Sequence, residues 1–367
     1  MHIPTDKVLI FSDFHWGKSK NSEIKIQQNE MFIDWLIKKA SILGIPHVIF
    51  MGDWFENRNN ISVKTYNHSY EALKRMSSAG LTVHMIIGNH DIYYREANNV
   101  HSLKPYSEIP NIFIYTEAEP VQFNGDHKGM LVPWETFDFS TMKDTPCDVM
   151  FGHFEFIGAV HNAVSSDTSK HGFNGNEMTK VAPLVFSGHY HARREYNFKN
   201  GKVVCVGSPL QLDWGDFNDT KGIYIYDSIS NSYEFIENDI NSTYVKILWS
   251  KIKAGDQTSL KAVKGNFVSL VVDDKYKFES VMKVMNLINR LDPLRNCEVV
   301  YEYSKRFNFF DTVSGDDAKI IQKTKFEHLV DYINKIDAED IGSLDINQVL
   351  ELGKQYYNEA SLKVADE

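Results

Sequence analysis

The feature that most constrains the fold is a series of short polar motifs that each follow an apolar run. Five motifs occur in order, namely Asp13-Phe-His15, Gly52-Asp53, Gly88-Asn89-His90-Asp91, Gly152-His153 and Gly188-His189-Tyr-His191. The runs before them, such as Val8–Phe11 and Val48–Met51, are typical of short buried strands. Four motifs begin with glycine, which we expect to turn the backbone tightly where the strand ends. The motifs should therefore meet at one edge of a sheet, where open α/β folds place their sites.

The residue types in these motifs are those of a site for two metal ions. Such a site needs several neutral imidazoles, hard oxygen ligands and one carboxylate that bridges both ions. A single His or Asp after a strand is usually a turn or capping residue. Five motifs in series at strand ends are hard to explain by turn chemistry alone. The sequence therefore predicts a metal-assisted phosphoester hydrolase.

The series Asp-x-His, Gly-Asp, Gly-Asn-His-Asp, Gly-His and Gly-His-x-His resembles the calcineurin-like metallophosphoesterase superfamily over residues 13–191. Within it, the chain most resembles SbcD-type DNA repair and recombination nucleases, especially the recombination endonuclease subunits of T-even-like phages. Gly207-Ser208-Pro209 after a hairpin, a small α/β segment and a helical tail favour that subgroup. The resemblance implies an α/β fold: a four-layer α/β/β/α sandwich with a smaller α+β cap domain and a helical C-terminal tail.

The resemblance also implies two metal sites that share one carboxylate. The ligands of the first are Asp13, His15, Asp53 and His191, and those of the second are Asp53, Asn89, His153 and His189. Mixed imidazole, carboxylate and amide ligation suits Mn²⁺ better than an all-oxygen Mg²⁺ site, so we expect two Mn²⁺ with Mg²⁺ as the alternative. His90 is expected to steady the charge on phosphorus or to protonate the leaving oxygen. Asp91 is expected to orient a neighbouring group or to cap a following helix.

One position departs from the pattern of the family. Gly52-Asp53 is followed by Trp54-Phe55-Glu56, whereas many cellular nucleases of the family have His or Asp at the Glu56 position. Glu56 cannot make a cationic contact, so its role in exonuclease action stays open. Protein phosphatases of the superfamily carry Gly-Asp-x-x-Asp-Arg-Gly, which this segment lacks. That absence disfavours a protein phosphatase.

Composition fits a folded enzyme of 367 residues, because 43% of them are hydrophobic and 13% aromatic. The net charge of −10 is uneven. Residues 326–367 carry ten acidic and three basic side chains, whereas residues 246–306 carry twelve basic and seven acidic ones. Cys147, Cys205 and Cys297 are widely spread and are expected to be buried free thiols of a reducing compartment. With neither a signal peptide nor a long apolar run, we expect a cytoplasmic protein, in the host cytoplasm if it is phage-encoded, without membrane association.

The pattern divides the chain into four parts. These are a nuclease domain at 1–240, a DNA-binding cap domain at 241–310, a linker at 311–325 and a helical, partner-binding tail at 326–367. Within the first part, Glu23–Leu43 and Ile61–Ala79 are predicted helices, the second one stopped by Gly80. One hairpin is predicted over Arg193–Val206, turning at Asn200-Gly201, and a second is predicted from Gly222–Asp227 and Tyr233–Ile236. In the cap, apolar residues from Phe278 to Leu291 recur at helical spacing.

The resemblance implies a Mn²⁺-dependent DNA nuclease, with 3′→5′ exonuclease action on duplex ends and endonuclease action on single strands. It also implies that the C-terminal helices bind an SMC-like ATPase, although the apolar stripe of the tail fits packing on its own chain equally well. We further expect a homodimer. The alternatives are a small-substrate phosphodiesterase or phosphatase of the same superfamily, and a non-catalytic scaffold for the ATPase. The complete set of ligand positions argues against the scaffold.

Overall fold

The structure is a computed structural model that describes residues 1–301, apart from 95–96, 135, 137–138, 140–145, 166 and 275. The expected linker and helical tail, and the last residues of the expected cap, lie outside the described residues. The strands are β1 (Lys7–Phe11), β2 (His47–Met51), β3 (Thr82–Ile86), β4 (Ile92–Tyr94), β5 (Ala97–His101), β6 (Ile112–Tyr115), β7 (Glu119–Gln122), β8 (Lys128–Val132), β9 (Val149–His153), β10 (Leu184–Gly188), β11 (Arg194–Phe198), β12 (Gly201–Cys205), β13 (Gly222–Asp227), β14 (Ser232–Glu237), β15 (Tyr244–Leu248), β16 (Phe267–Val272) and β17 (Glu298–Tyr301). The helices are α1 (Lys18–Asn21), α2 (Glu23–Leu43), α3 (Val63–Ser78), α4 (Gly175–Val181), α5 (Trp249–Lys253), α6 (Thr258–Lys261) and α7 (Phe278–Asn289).

Two six-stranded sheets form the centre of the fold. The first has the strand order β14-β13-β1-β2-β3-β6 and the second has the order β11-β12-β10-β9-β8-β7. β1, β2, β3 and β6 run parallel, as do β8, β9, β10 and β12. Since parallel strands end at the same edge of a sheet, each sheet presents several loops at its carboxyl edge.

Alternate side chains of a strand belong to different apolar layers of the fold. In β1, Val8 and Ile10 join the apolar cluster between the two sheets, whereas Leu9 and Phe11 join the cluster under α2 and α3. A third cluster packs α4 against the outer face of the second sheet. Side chains of a strand point alternately to opposite faces, so a strand buried on both faces reads as one apolar run. The expected α/β/β/α sandwich is confirmed.

The two long helices begin and end where their sequence signals lie. α2 has the predicted bounds, and it ends at Gly44 with a φ of 67°. α3 is shorter than predicted at its start, because the Ser62 hydroxyl accepts a hydrogen bond from the Thr65 amide and caps the helix there. Gly80 follows α3 with a φ of 83°, as its role as a stop signal requires.

The hairpin between β11 and β12 forms, but its turn lies one residue earlier than predicted. Phe198 pairs with Gly201, so Lys199 and Asn200 are the turn residues. A Cβ on Gly201 would clash with the carbonyl of Pro183, so this glycine serves close packing and not the turn. The second predicted hairpin is formed by β13 and β14.

The segment after β14, called the small unit below, has its own sheet and apolar core but belongs to the same compact body, Met1–Glu302, as the two large sheets. Its three parallel strands have the order β15-β16-β17, and α7 contributes Val281 and Ile288 to the core beneath them. Phe278, which the helical spacing places in the apolar stripe, is the first residue of this helix and is 62% exposed, so it does not belong to the core. Cys297 is buried here, and Cys147 and Cys205 are buried in the larger unit, all three as free thiols. No helix in the described part of the chain is both long and apolar enough to cross a membrane.

Candidate metal centre

Four of the predicted ligand residues have left-handed backbone conformations. Asp13, His15, Asp53 and His189 have φ values of 55°, 52°, 60° and 84°. Left-handed backbone is unfavourable for residues other than glycine by about 1–2 kcal/mol each, and such residues cluster at functional sites. The conformation lets Asp13 and His15, one residue apart after β1, both take part in the site.

Most glycines of the motifs do not have the expected role of turning the backbone at the end of a strand. Gly52 alone among the four has a positive φ, 92°, so the predicted tight turn holds only there. Added Cβ atoms on the other three would clash with neighbours: Asp53 for Gly88, Phe154 for Gly152, and Ser12 and Met51 for Gly188. Gly152 and Gly188 belong to β9 and β10. Gly88 and Gly188 are needed because neighbouring loops and strands approach closely there, whereas the space beside Gly152 is filled by the ring of Phe154, two residues further on.

The first expected group of ligands comes together from three loops. The ligand atoms of Asp13, His15 and His191 all lie within 4.8 Å of one another. His15 Nε2 is 3.0 Å from His191 Nε2, 4.0 Å from Asp13 Oδ1 and 3.8 Å from Asp53 Oδ2. The backbone amide of His189 donates to both oxygens of Asp13 at 3.1 Å and holds that carboxylate in place.

The second expected group meets on the other side of Asp53. His153 Nε2 lies 3.4 Å from Asp53 Oδ2 and 3.0 Å from Asn89 Oδ1. Asn89 Oδ1 is also 3.0 Å from His189 Nδ1. Asp53 therefore contacts a histidine of each group with the same oxygen atom.

The residues present fit divalent ions. Metal–ligand bonds of about 2.1 Å at right angles separate neighbouring ligand atoms by about 3 Å, which is the spacing seen between several of these donors. Asp13 and Asp53 are 0% and 2% exposed, and such buried carboxylates require a compensating charge. Histidine, carboxylate and amide donors in one cluster are typical of transition-metal ions.

Hydrogen bonds to the second ring nitrogen fix two of the histidines. His153 Nδ1 donates to the carbonyl oxygen of Met51 at 2.7 Å, which leaves Nε2 unprotonated for a metal when the ring is neutral. His90 Nδ1 donates to the carbonyl oxygen of Glu56 at 2.6 Å, and the His90 amide donates to Asp53 Oδ1 at 2.8 Å.

Asp91 orients the loop that carries Asp53. Its carboxylate accepts hydrogen bonds from the backbone amides of Asp53, Trp54 and Gly88, at 2.9, 3.0 and 3.0 Å. Burial and the charge of Asp53 raise its pKa to about 7. The other role considered, capping a following helix, is wrong, because Ile92–Tyr94 is a strand.

The charges of the site depend on one another. Burial would raise the pKa of Asp53, but His153 and His15 outweigh it and the pKa is lowered. Burial would lower the pKa of His153, but Asp53 outweighs it and raises the pKa to about 9. Burial, with His15 beside it, holds the pKa of His191 well below its ordinary value. Protons on some histidines thus balance the carboxylates, and a divalent cation would replace them.

The structure adds three side chains that the sequence argument did not assign to the site. Trp134 packs its ring 4.9 Å from that of His189 and 5.7 Å from that of His153, centroid to centroid. Lys221 Nζ donates to the His191 carbonyl at 2.5 Å, and Glu56 Oε2 lies 3.0 Å from His15 Nδ1. Trp134 follows the apolar end of β8, as the five motifs follow their strands, so its position in the sequence could have indicated a place in the site. Nothing local in the sequence marks the contact of Lys221.

Two facing sheets with polar loops at their carboxyl edges, and two groups of ligands joined by one aspartate, define a class of metal-dependent hydrolases. The chain matches the calcineurin-like phosphoesterase family over residues 6–193, more than half of its length. It belongs to that family and is a metal-dependent phosphoesterase.

The chain is 27% identical over 371 residues to exonuclease subunit 1 of Enterobacteria phage T4, an alignment that covers 97% of this chain and 99% of that protein. The expected resemblance to a nuclease subunit of a T-even phage is thereby confirmed. A solved structure described as a novel archaeal phosphodiesterase is 14% identical, with a TM-score of 0.35, over 63% of this chain and 99% of that one.

Proposed function

We propose that the protein is a DNA nuclease that hydrolyses phosphodiesters with two divalent ions, Mn²⁺ before Mg²⁺. The observation that carries the proposal is the position of Asp53 between two groups of ligand atoms. The end-to-end similarity to a phage protein named as an exonuclease subunit supports DNA as the substrate.

The expected ligands would hold the ions as two sites. Asp13, His15 and His191 would bind one ion, Asn89, His153 and His189 the other, and Asp53 both. When bound, the ions would polarise the phosphodiester and supply a water activated for in-line attack on phosphorus. The protein's own contribution is to fix these donors, because Met51 and the His189 amide already orient His153 and Asp13.

His90 is the residue we propose to act on the phosphodiester directly. Its backbone is tied to Asp53 and its Nδ1 to the Glu56 carbonyl, which leaves Nε2 available to the substrate. A proton on Nε2 would pass to the leaving oxygen, or its positive charge would steady the charge that builds on phosphorus. A fixed ring does this better than a mobile one, because no reorganisation is needed during the reaction.

The small unit after β14 is proposed to bind the DNA backbone as a cap. Residues 246–306 hold twelve basic and seven acidic side chains. Lys251, Lys261 and Lys264 are exposed on or beside α5 and α6, and Lys253 is exposed but pairs with Asp274. Lysine contacts to phosphate supply affinity without reading sequence and weaken as salt is added.

Further features of the proposal follow the same resemblance. The activity would be 3′→5′ exonucleolytic on duplex ends and endonucleolytic on single strands, in DNA recombination and repair. The C-terminal helices expected at 326–367 would bind an SMC-like ATPase, and the nuclease would form a homodimer in the cytoplasm. The relative's description as a subunit supports a partner for this chain.

The test is cleavage of end-labelled duplex and single-stranded DNA with Mn²⁺, Mg²⁺ or EDTA, beside bis-p-nitrophenyl phosphate. We expect Mn²⁺-dependent degradation that falls by about 10²–10⁴-fold in a His90→Gln variant, the usual contribution of general acid catalysis. His68→Gln is the matched control, since His68 lies on α3 beside Glu30, outside the site.

Two other results of the cleavage assay would contradict parts of the proposal. Hydrolysis of the small diester with intact DNA, unchanged when the ATPase partner is added, would favour a small-substrate phosphodiesterase of the same superfamily. Full activity of His90→Gln on DNA would contradict the assigned role of His90.

A further inference from the structure

The carboxylate of Glu56 lies between a predicted metal ligand and a lysine. Its Oε2 is 3.0 Å from His15 Nδ1, and its Oε1 is 3.1 Å from Lys18 Nζ. Lys18 Nζ is in turn 3.5 Å from Asp213 Oδ2. His15 is 1% exposed and the Glu56 side chain 27%, so the contact closes the solvent side of the histidine ring.

The backbone fixes these side chains next to one another. The loop after β1 and the loop after β2 run side by side: Trp16 donates its amide to Trp54, and Glu56 donates its amide to Trp16, at 2.8 and 3.0 Å. The Lys18 amide donates to the His15 carbonyl at 3.1 Å, which turns Lys18 back towards Glu56. The backbone of the two loops therefore places the side chains of His15, Lys18 and Glu56 next to one another.

The geometry points to Glu56 as a positioning residue for His15. A neutral imidazole has one N–H donor and one acceptor nitrogen, and a carboxylate that faces Nδ1 selects the tautomer with the proton there. Nε2, which faces His191, Asp13 and Asp53, is then left with the lone pair that a metal ion needs. Lys18 holds the other oxygen of the carboxylate, so the carboxylate cannot turn away.

Glu56 also serves His90, but through a different atom. The His90 ring bonds to the backbone carbonyl of Glu56, which every substitution at this position retains. Side-chain variants of Glu56 therefore change the support of His15 and leave the bond to His90. The inference deepens the proposed two-ion function, and the tautomer of His15 can be measured without any catalysis.

The experiment uses the full chain with ¹⁵N-labelled histidine. Two-bond ¹⁵N–¹H correlation spectra of the metal-free protein report which nitrogen of His15 carries the proton, and calorimetric titration with Mn²⁺ reports the affinity of each ion. At a pH at which the His15 ring is neutral, we expect Nδ1–H in the wild type and a mixture of tautomers in Glu56→Ala. One ion should bind about 10–100-fold more weakly to that variant, the usual effect of losing an outer partner of a metal-bound histidine.

Two further variants separate positioning from other roles. Lys18→Met should shift the tautomer and the affinity in the same direction by less, because the carboxylate remains. Glu23→Ala is the matched control, since this glutamate at the start of α2 pairs with Lys64 at the surface. At saturating Mn²⁺ we expect Glu56→Ala to recover most of its phosphodiesterase activity, because only ion affinity has changed.

The inference is overturned by any of three results: Nδ1–H retained in Glu56→Ala, unchanged affinity for both ions, or activity that stays low at saturating Mn²⁺. The last would make Glu56 a contact of the substrate. If the wild type cleaves no DNA, the proposed nuclease function fails while the tautomer and affinity measurements still decide the role of Glu56.

Discussion

Histidines cluster in two places of the described chain, with very different neighbours. In the metal centre, the rings at the carboxyl edges of the sheets face Asp13 and Asp53. At the amino end of β2 and within β3, His47 and His84 stack on each other, with His47 Nδ1 3.3 Å from His84 Nε2. Within the described part of the chain, neither of these rings contacts a carboxylate. Instead His84 Nδ1 lies 2.9 Å from the hydroxyl of Tyr115.

Burial alone therefore does not determine the protonation or the function of a histidine. Burial lowers the pKa of His84 to about 3, with His47 adding to the effect. Burial acts on His153 in the same direction, but Asp53 outweighs it and the pKa rises to about 9. A neutral pair of rings packed between strands is a structural element, whereas a ring beside buried carboxylates is ready to exchange a proton for a metal ion.

The largest expected effect is a loss of phosphodiesterase activity when Asp53, the carboxylate shared by both groups of ligands, is neutralised. Asp53→Asn keeps the shape of the side chain and an acceptor for the His90 amide, but removes the charge shared by both groups of ligands. We expect phosphodiesterase activity to fall at least about 10³-fold, measured with Mn²⁺ on DNA and on bis-p-nitrophenyl phosphate. His84→Phe should keep wild-type activity. A comparable loss of activity in that variant would contradict the conclusion that only the cluster around Asp53 takes part in catalysis.

A second test concerns the packing that brings the sheets together at the metal centre. A Cβ on Gly188 would clash with Ser12 Oγ and the Met51 carbonyl. Gly188→Ala should lower the free energy of unfolding by about 3 kcal/mol, measured in urea, as other overpacked cores do. Gly44→Ala, with open space around the site of the new methyl group, should lose only about 1 kcal/mol from its left-handed backbone. Equal losses would mean that the close approach at Gly188 is not required.

Metal binding should stabilise one cluster and not depend on the other. Mn²⁺ at a hundred times its Kd should raise the free energy of unfolding by about 2.7 kcal/mol per site, and EDTA should reverse this. Binding should also release protons, because His153 must lose its proton to become a ligand. Calorimetry in buffers of different ionisation enthalpy measures that release. The same stabilisation by Mn²⁺ in His84→Phe would show that the metal centre does not depend on the His47–His84 pair, whereas loss of the stabilisation would contradict that independence.

The smallest effect is expected from the His47–His84 pair, and it concerns how the free energy of unfolding depends on pH. The pKa of His84 is lower in the folded protein than its ordinary value, so below about pH 6.5 the unfolded chain binds a proton that the folded protein does not. This part of the stability is therefore present above pH 6.5 and is lost as the pH falls. The loss by pH 5 should approach about 2 kcal/mol.

Urea unfolding at pH 7 and pH 5 measures this contribution. His84→Phe should remove that share of the pH dependence. Phe113→Leu is the control, because it trims a ring stacked on His84 but keeps the histidine. If the free energy of unfolding of His84→Phe changes with pH as much as that of the wild type, His84 does not make the expected contribution.

Much of the architecture follows from local patterns. Both long helices, both hairpins and the strands before all five motifs were predictable, because apolar periodicity, caps and glycine stop signals act within a few residues. The helix in the small unit was predictable for the same reason. Phe278 was assigned wrongly, since helical spacing does not say where the neighbouring sheet ends.

For the site, the motifs were enough to predict which residue types would meet and at which edge of the sheets. It did so because each motif lies at the end of a short buried strand, and parallel strands end together. Only the folded chain shows the left-handed backbone of Asp13, His15, Asp53 and His189, the close packing at Gly188, and the contact of Glu56 with His15. These features arise where loops that are distant in sequence press against each other, and no local pattern of residues encodes the distance between two such loops.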